Sequence, residues 1–76
     1  MFTKEHFASC LRAERARRKL SQEELAEQIG ASKDSVKKWE DDKDKTVPGF
    51  AMVCRLADVL GCDVADFAVT PQEAVA

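Results

Sequence analysis

The stretch LSQEELAEQIGASKDSVKKWE, residues 20–40, decides the fold of this chain. It opens with a capping box, in which the Ser21 hydroxyl accepts from the Glu24 N–H and the Glu24 carboxylate accepts from the Ser21 N–H. Gly30 ends the helix that follows, because glycine readily adopts the left-handed conformation that terminates helices. Ser32 can cap another helix only two residues later. The stretch therefore predicts two short helices joined by a tight turn.

The apolar residues of this stretch predict that both helices pack on one core. Leu25, Ala26 and Ile29 form the buried face of the first helix. Val36 and Trp39 lie three residues apart and form the buried face of the second helix. Ala26 is small enough for the two backbones to cross closely. Two such helices meet the physical requirements of a helix-turn-helix unit, and we assign these residues a structural role.

Further helices are predicted on both sides of this unit. Thr3 can cap a first helix that runs to about Arg18, with Phe7 and Leu11 pointing inward. A polar loop over residues 40–49 precedes a fourth helix, which Gly61 ends. Apolar residues recur along that helix at helical spacing and are expected to face the core: Phe50, Val53, Ala57 and Leu60.

The last predicted element is a fifth short helix, capped by Asp63 and containing Val64 and Phe67. A chain of 76 residues, 45% hydrophobic and 34% charged, has the size and composition of one folded domain. We therefore expect an all-α, compact five-helix domain over residues 1–70. Residues 71–76 are expected to form a flexible tail.

Composition excludes several classes of protein. No apolar run approaches the roughly 18 residues that a membrane span needs, and polar residues replace a secretion-signal core in residues 1–10. We expect a cytoplasmic location and no membrane partner. The three cysteines, Cys10, Cys54 and Cys62, lack CxxC spacing, so we expect reduced thiols rather than disulfides or a zinc site.

Catalysis is not expected from this sequence. It contains no pattern typical of a nucleophile with its base and no phosphate-cradling glycine loop. The single histidine, His6, is expected to be exposed rather than catalytic. We therefore expect no enzyme activity, no metal, no cofactor and no small-molecule ligand.

Charge is unevenly distributed along the chain. The formal net charge is −2, whereas nucleic-acid-binding domains are usually basic. Residues 49–76 carry one basic side chain, Arg55, against four acidic ones, so the acidity lies mostly at this end. A basic cluster occupies the end of the first helix and is expected to be a solvated face: Arg12, Arg15, Arg17, Arg18 and Lys19.

Residues 20–40 resemble the helix-turn-helix of the Cro and lambda-repressor-like family. The segment RLADVLGCDVADF, residues 55–67, is similar to that family's fourth and fifth helices. The resemblance covers roughly residues 7–68. It implies a five-helix lambda-repressor-like DNA-binding domain that acts as a sequence-specific transcriptional regulator. It also implies a repressor that binds a near-palindromic operator as a homodimer, with residues 32–40 in the major groove.

The resemblance implies that the outer face of the third helix contacts bases. That face carries Lys33, Asp34, Lys37 and Lys38, opposite Val36 and Trp39. Lys33 and Lys37 are expected to donate to guanine O6 and N7, and Asp34 to accept from cytosine N4. Lys38 is expected to reach a base or a phosphate.

Other residues are expected on the DNA backbone. Gln22 matches a glutamine that relatives place on phosphate, at a helix N-terminus where free N–H groups favour anions. Ser32 and Ser35 lie near the start of the third helix and are expected to bind phosphate. In relatives the loop after this helix lies beside the phosphates, which gives Lys43 a contact there. The tail after Thr70 and the apolar residues of the C-terminal helices are the expected dimer contacts.

The resemblance also implies a structural salt bridge between Arg15 and Glu40. The loop after Glu40 departs from the family's pattern. Asp42 stands where relatives usually have glycine, and Asp41 and Asp44 add further negative charge. Such charge repels a phosphate backbone. An alternative is therefore a protein-interaction module that keeps the fold and binds a partner protein instead of DNA. A role as activator or as self-repressing antitoxin also stays open.

Overall fold

The computed structural model describes residues 3–67 of the chain. These residues form four α-helices and a 3-10 helix, and no strand occurs among them. In chain order the elements are α1 (Lys4–Arg17), α2 (Gln22–Ile29), α3 (Lys33–Trp39), α4 (Phe50–Leu60) and the 3-10 helix Val64–Phe67. The all-α architecture agrees with the prediction.

Side-chain caps begin the first three helices. The Thr3 hydroxyl accepts from the His6 N–H at the start of α1, and the Ser32 hydroxyl accepts from the Ser35 N–H at the start of α3. Both halves of the predicted capping box are present at Ser21, so that prediction is confirmed. These bonds satisfy N–H groups that a helix leaves without partners.

Left-handed residues end three of the helices. Gly30 follows α2 with φ +74°, and Gly61 follows α4 with φ +70°, as the sequence predicts. Lys19 follows α1 with φ +58° and is the non-glycine example among the described residues. At each end the next N–H bonds back into the last turn, as when Leu20 donates to the Arg15 carbonyl at 3.1 Å. The chain therefore turns sharply at each of these three points.

One apolar cluster holds the helices together. Phe7 of α1 and Phe67 of the 3-10 helix meet with ring centroids 5.4 Å apart. Ala26 is buried in α2, where its small side chain leaves room for α3. The buried members of the cluster come from all five elements: Phe7, Leu11, Leu25, Ala26, Ile29, Val36, Trp39, Leu56, Ala57, Leu60 and Phe67. This core fixes the angle between α2 and α3.

Three sequence predictions about the C-terminal part are wrong. The fifth α-helix is instead a single 3-10 turn of four residues. Asp63 does not cap it with its side chain, which accepts no hydrogen bond among the described residues; instead, the Asp63 N–H donates to the Asp66 carboxylate at 3.0 Å. Phe50 does not face the core and is 75% exposed, since it is the first residue of α4 and its neighbours Gly49 and Ala51 are exposed too.

The remaining fold-level predictions concern chain ends and membranes. The predicted tail over residues 71–76 and the end of the predicted domain, residue 70, lie outside the described residues. Within residues 3–67, no helix has the length and apolar character needed to cross a membrane.

Candidate nucleic-acid interface

The outer face of α3 is an exposed charged surface of the two-helix unit. Val36 and Trp39 are buried against the core and fix the rotation of α3 about its axis. The side chains on the opposite face are all exposed: Lys33, Asp34, Lys37 and Lys38. Three lysines and one aspartate give this face a net positive charge. It therefore presents hydrogen-bond donors, and one strong acceptor, on a short and rigid helix.

Three of these side chains are free of partners within the described part of the chain. No hydrogen bond or ion pair joins Lys33, Asp34 or Lys37 to another described side chain or carbonyl. Lys38 differs, because its positive charge acts on the carboxylate of Asp44. Long unpaired side chains remain available for a ligand without breaking a contact of the fold.

Ser32 and Ser35 are occupied by the cap of α3. The Ser32 hydroxyl accepts from the Ser35 N–H at 3.1 Å and donates to the Ser35 hydroxyl at 3.0 Å. Ser35 is also half-buried. Both serines thus have an observed structural role at the start of the helix, and a phosphate contact would have to share these hydroxyls.

Gln22 lies at the first position of α2 and is half-buried. Its Nε2 donates to Glu40 Oε1 at 3.0 Å. An amide nitrogen carries two hydrogens, so the second can still donate outward. The bond to Glu40 fixes the orientation of the amide at the edge of the outer face.

Glu40 is a buried carboxylate that joins three elements. Besides the bond from Gln22 of α2, it receives two from Arg15 of α1: Nε to Oε2 at 2.7 Å and Nη2 to Oε1 at 3.0 Å. Hydrogen bonding to Glu40 raises the pKa of Arg15 above its usual value. Arg15 also donates to the Leu20 carbonyl at 2.8 Å. The two-bond geometry of this pair fixes the end of α3 against α1.

Lys4 is a residue that sequence reasoning missed. Its ammonium donates to the carbonyls of Lys38 at 3.0 Å and Asp41 at 2.6 Å, and also to that of Asp44. The Asp44 carboxylate accepts from Thr46 N–H at 2.7 Å, and hydrogen bonds from Thr46 hold its pKa below the usual value. No local pattern signals these contacts, because Lys4 lies more than thirty residues from its partners.

The other two loop carboxylates also have internal partners. Asp41 Oδ1 accepts from the Lys43 N–H at 2.9 Å. Asp42 Oδ1 lies 3.2 Å from Nη1 of Arg12, which also donates to the Glu40 carbonyl. Each loop aspartate therefore accepts a hydrogen bond, and the cations of α1 offset part of the negative charge. The Lys43 side chain is exposed on this loop.

The basic cluster at the end of α1 is more than a solvated face, which corrects the prediction. Arg12 and Arg15 contact the loop and Glu40, as described above. Arg17 pairs with Glu14 within α1, and Arg18 Nε donates to the Leu60 carbonyl at 2.9 Å. Lys19 remains exposed. These cations serve contacts inside the molecule, so the positive charge of α3 stands apart from them.

Cys10 and His6 both contact the backbone carbonyl of Asp66. Cys10 donates to the Asp66 carbonyl at 3.1 Å, and burial raises its pKa to about 11, so its thiol is protonated at neutral pH. His6 is exposed, with Nε2 at 3.2 Å from that carbonyl. Among residues 3–67 no group of three or more histidines, cysteines or carboxylates is placed to hold a metal ion.

Comparison with known proteins agrees with this geometry. A family model described as a helix-turn-helix domain matches residues 6–69. No curated protein matches the chain. Among solved structures, the clp gene regulator ClgR from Corynebacterium glutamicum superimposes with a TM-score of 0.74 and 25% sequence identity. The match covers 84% of this chain and 66% of ClgR.

A second similarity is to hydroxypropylphosphonic acid epoxidase from S. wedmorenis. It superimposes with a TM-score of 0.76 at 24% identity over 87% of this chain. A structure of the same epoxidase with fosfomycin gives the same TM-score over 90% of this chain. The chain spans about a third of the epoxidase chains, 34% and 35%. At this identity the likeness shows a shared fold.

Proposed function

This chain belongs to the family of helix-turn-helix domains, and from that premise we propose that it is a sequence-specific DNA-binding regulator of transcription. The observation that carries the proposal is the outer face of α3, where Lys33, Asp34 and Lys37 are exposed and unpaired on a helix that the core holds rigidly. Helix-turn-helix domains place such a face in the major groove. The likeness to a gene regulator supports the same function.

In this proposal the surroundings of α3 hold the DNA backbone. Gln22, fixed by Glu40, donates its second amide hydrogen to a phosphate. Lys43 and Lys38 supply positive charge beside the groove. Ser32 and Ser35 approach a phosphate at the start of α3. The loop aspartates weaken this attraction, but Lys4 and Arg12 contact the loop and, with Lys43, offset part of its negative charge.

The finer proposal is a cytoplasmic repressor that binds a near-palindromic operator as a homodimer. One recognition helix reads few base pairs, so selectivity requires two half-sites about one DNA turn apart. Val47, 43% exposed, and Phe50 are the large exposed hydrophobic residues of the described part and are available for contact with a second copy. Occupation of an operator by such a dimer represses transcription without any catalytic step.

The test is binding of the full chain to duplex DNA at low and physiological salt. A Lys33→Ala/Lys37→Ala variant is compared with an Arg17→Ala/Lys19→Gly variant, which removes two positive charges at the far end of α1. Phosphate contacts make affinity fall steeply with salt. We expect the α3 variant to lose at least about tenfold in affinity for its best site, since a good base contact contributes about 1–3 kcal/mol. The control should bind nearly as the wild type.

Two results would contradict the proposal. A folded protein that binds no duplex at low salt would favour the alternative, a protein-interaction module on the same fold. Equal losses in the two variants would mean that only net charge matters and that α3 does not enter the groove.

A further inference from the structure

We propose that α3 reads a G·C core in each half-site, with Lys33 and Lys37 on guanines and Asp34 on a cytosine. This inference rests on the proposed function, because it assumes that α3 lies in the major groove. It names the class of DNA sequence that the outer face of α3 accepts. Its support is the set of side chains that the fold leaves free on that face.

Three side chains on the outer face of α3 remain free. Lys33, Asp34 and Lys37 are exposed and have no partner among the described residues. Ser32 and Ser35 already bond each other in the cap. The chemistry of the free set is therefore simple: two donors without acceptors, and one acceptor without donors.

Guanine and cytosine match the chemistry of these three side chains better than adenine does. Guanine offers two neighbouring acceptors, O6 and N7, which suit a lysine ammonium. Adenine places its N6 donor beside N7, so a lysine meets one attractive and one repulsive group. The cytosine ring itself shows only the N4 donor in the major groove, whereas the adenine ring shows the N7 acceptor beside its N6 donor, and that acceptor repels a carboxylate such as Asp34. Both comparisons favour G·C over A·T.

The outer face of α3 lacks the side chains that read adenine or thymine. Bidentate reading of adenine needs the paired donor and acceptor of Asn or Gln, and α3 contains neither. Contact with the thymine methyl group needs an apolar side chain, but the apolar residues of α3, Val36 and Trp39, are buried. The outer face therefore carries no group that prefers an A·T pair.

The spacing of the three side chains along α3 fits neighbouring base pairs. Lys33 and Lys37 are four residues apart, which places them about 6 Å apart along the helix axis and on the same side. Asp34 lies beside both, one residue after Lys33 and three before Lys37. Since stacked base pairs repeat at about 3.4 Å, the three side chains span two to three neighbouring base pairs. Guanine and cytosine are partners in one pair, so the lysines and Asp34 can read the two strands of the same core.

The experiment is a selection of binding sites from a pool of random duplexes with the full wild-type chain. We expect two to three successive G·C pairs in each half-site of the selected sequences. Asp34→Ala should still bind but lose about fivefold or more of its preference for the cytosine, the effect of one lost base contact. Glu27→Ala removes an exposed acid from α2 and serves as the charge-matched control, with an unchanged consensus.

Asp34→Asn provides a second, gain-of-preference test. An amide offers both the donor and the acceptor that adenine N7 and N6 require, so the cytosine position should change to adenine. Half-sites of A·T pairs in the wild-type selection, or an unchanged consensus in Asp34→Asn, would overturn this inference and leave the proposed function standing. Failure to select any site would overturn both.

Discussion

Arg15 on α1 donates two hydrogen bonds to Glu40 at the end of α3, Nε to Oε2 at 2.7 Å and Nη2 to Oε1 at 3.0 Å. The Glu40 side chain is only 4% exposed, so its charge depends on this partner and on Gln22 for compensation. The pair joins α1 to the helix that carries the candidate DNA-contacting face.

Arg15→Ala is expected to lower the free energy of unfolding by about 3 kcal/mol, because it leaves a buried carboxylate without its counter-charge. Arg12→Ala is the matched control. The Arg12 side chain is 43% exposed; it pairs with Asp42 at the surface and donates to the Glu40 carbonyl, so its loss should cost less, about 1–2 kcal/mol, because no buried charge is left without a partner. Urea denaturation of the two variants measures the difference. Equal midpoints would show that burial of Glu40 does not matter.

Two phenylalanines test which apolar residues hold the fold. Phe67→Ala removes a buried ring that packs on Phe7, and should cost about 3–5 kcal/mol. Phe50→Ala removes a ring that is exposed in the single chain, so at concentrations too low for the proposed dimer it should change stability by no more than about 0.5 kcal/mol. Thermal unfolding of both variants gives the comparison. A large loss of stability in Phe50→Ala would mean that Phe50 is covered, for example by a second copy.

Local signals in the sequence predicted most of the fold. The capping box at Ser21 and the terminating glycines, Gly30 and Gly61, depend on neighbours within a few residues, so the sequence displays them directly. Phe50 follows the helical spacing of α4, but spacing cannot show that no element covers the first turn. The Val64–Phe67 segment has the residues of a helix, yet only one 3-10 turn forms there.

The candidate site was predicted less completely, because several of its contacts are long-range. The exposed lysines of α3 follow from the rotation that Val36 and Trp39 set. The carbonyl contacts of Lys4 and the bond from Gln22 to Glu40 depend on how α1 and α2 pack against the end of α3. No spacing rule reveals such contacts, so the loop looked more repulsive to phosphate than its geometry makes it.

The left-handed backbone at Lys19 offers a stabilising substitution. A side chain at φ +58° costs conformational energy that glycine avoids. Lys19→Gly should raise the free energy of unfolding by about 0.5–1 kcal/mol. Gly30→Ala is the opposite test and should cost about 1 kcal/mol by strain alone, because a Cβ there meets only Arg55 Nη1, at 3.6 Å. Chemical denaturation measures both, and a loss of stability in Lys19→Gly would contradict the argument.

Stability should fall at alkaline pH because of Cys10. Burial raises the pKa of this thiol from 9.0 to about 11. A group with a higher pKa in the folded state stabilises the fold below its unfolded value, and that contribution is lost as the pH rises from about 9 to about 11. The slope from one thiol is at most about 1.4 kcal/mol per pH unit.

Urea denaturation with a reductant at pH 8 to 11 measures this slope. Cys10→Ala should show a shallower decline than the wild type. A constant difference between Cys10→Ala and the wild type at every pH would assign the effect to packing instead of titration.

Lys4 should order the loop that follows α3. Its ammonium donates hydrogen bonds to the carbonyls of Lys38, Asp41 and Asp44. Hydrogen bonds from a charged donor contribute about 1.5–3 kcal/mol to stability. Lys4→Met keeps the length and apolar stem of the side chain but removes the donor. We expect a loss of about 1–2 kcal/mol, since water can replace the ammonium at part of these carbonyls, and faster amide exchange at Thr46. Lys45→Met, on the exposed part of the same loop, should change neither quantity. Similar exchange rates in the two variants would mean that the loop is ordered by its own aspartate turns and does not need α1.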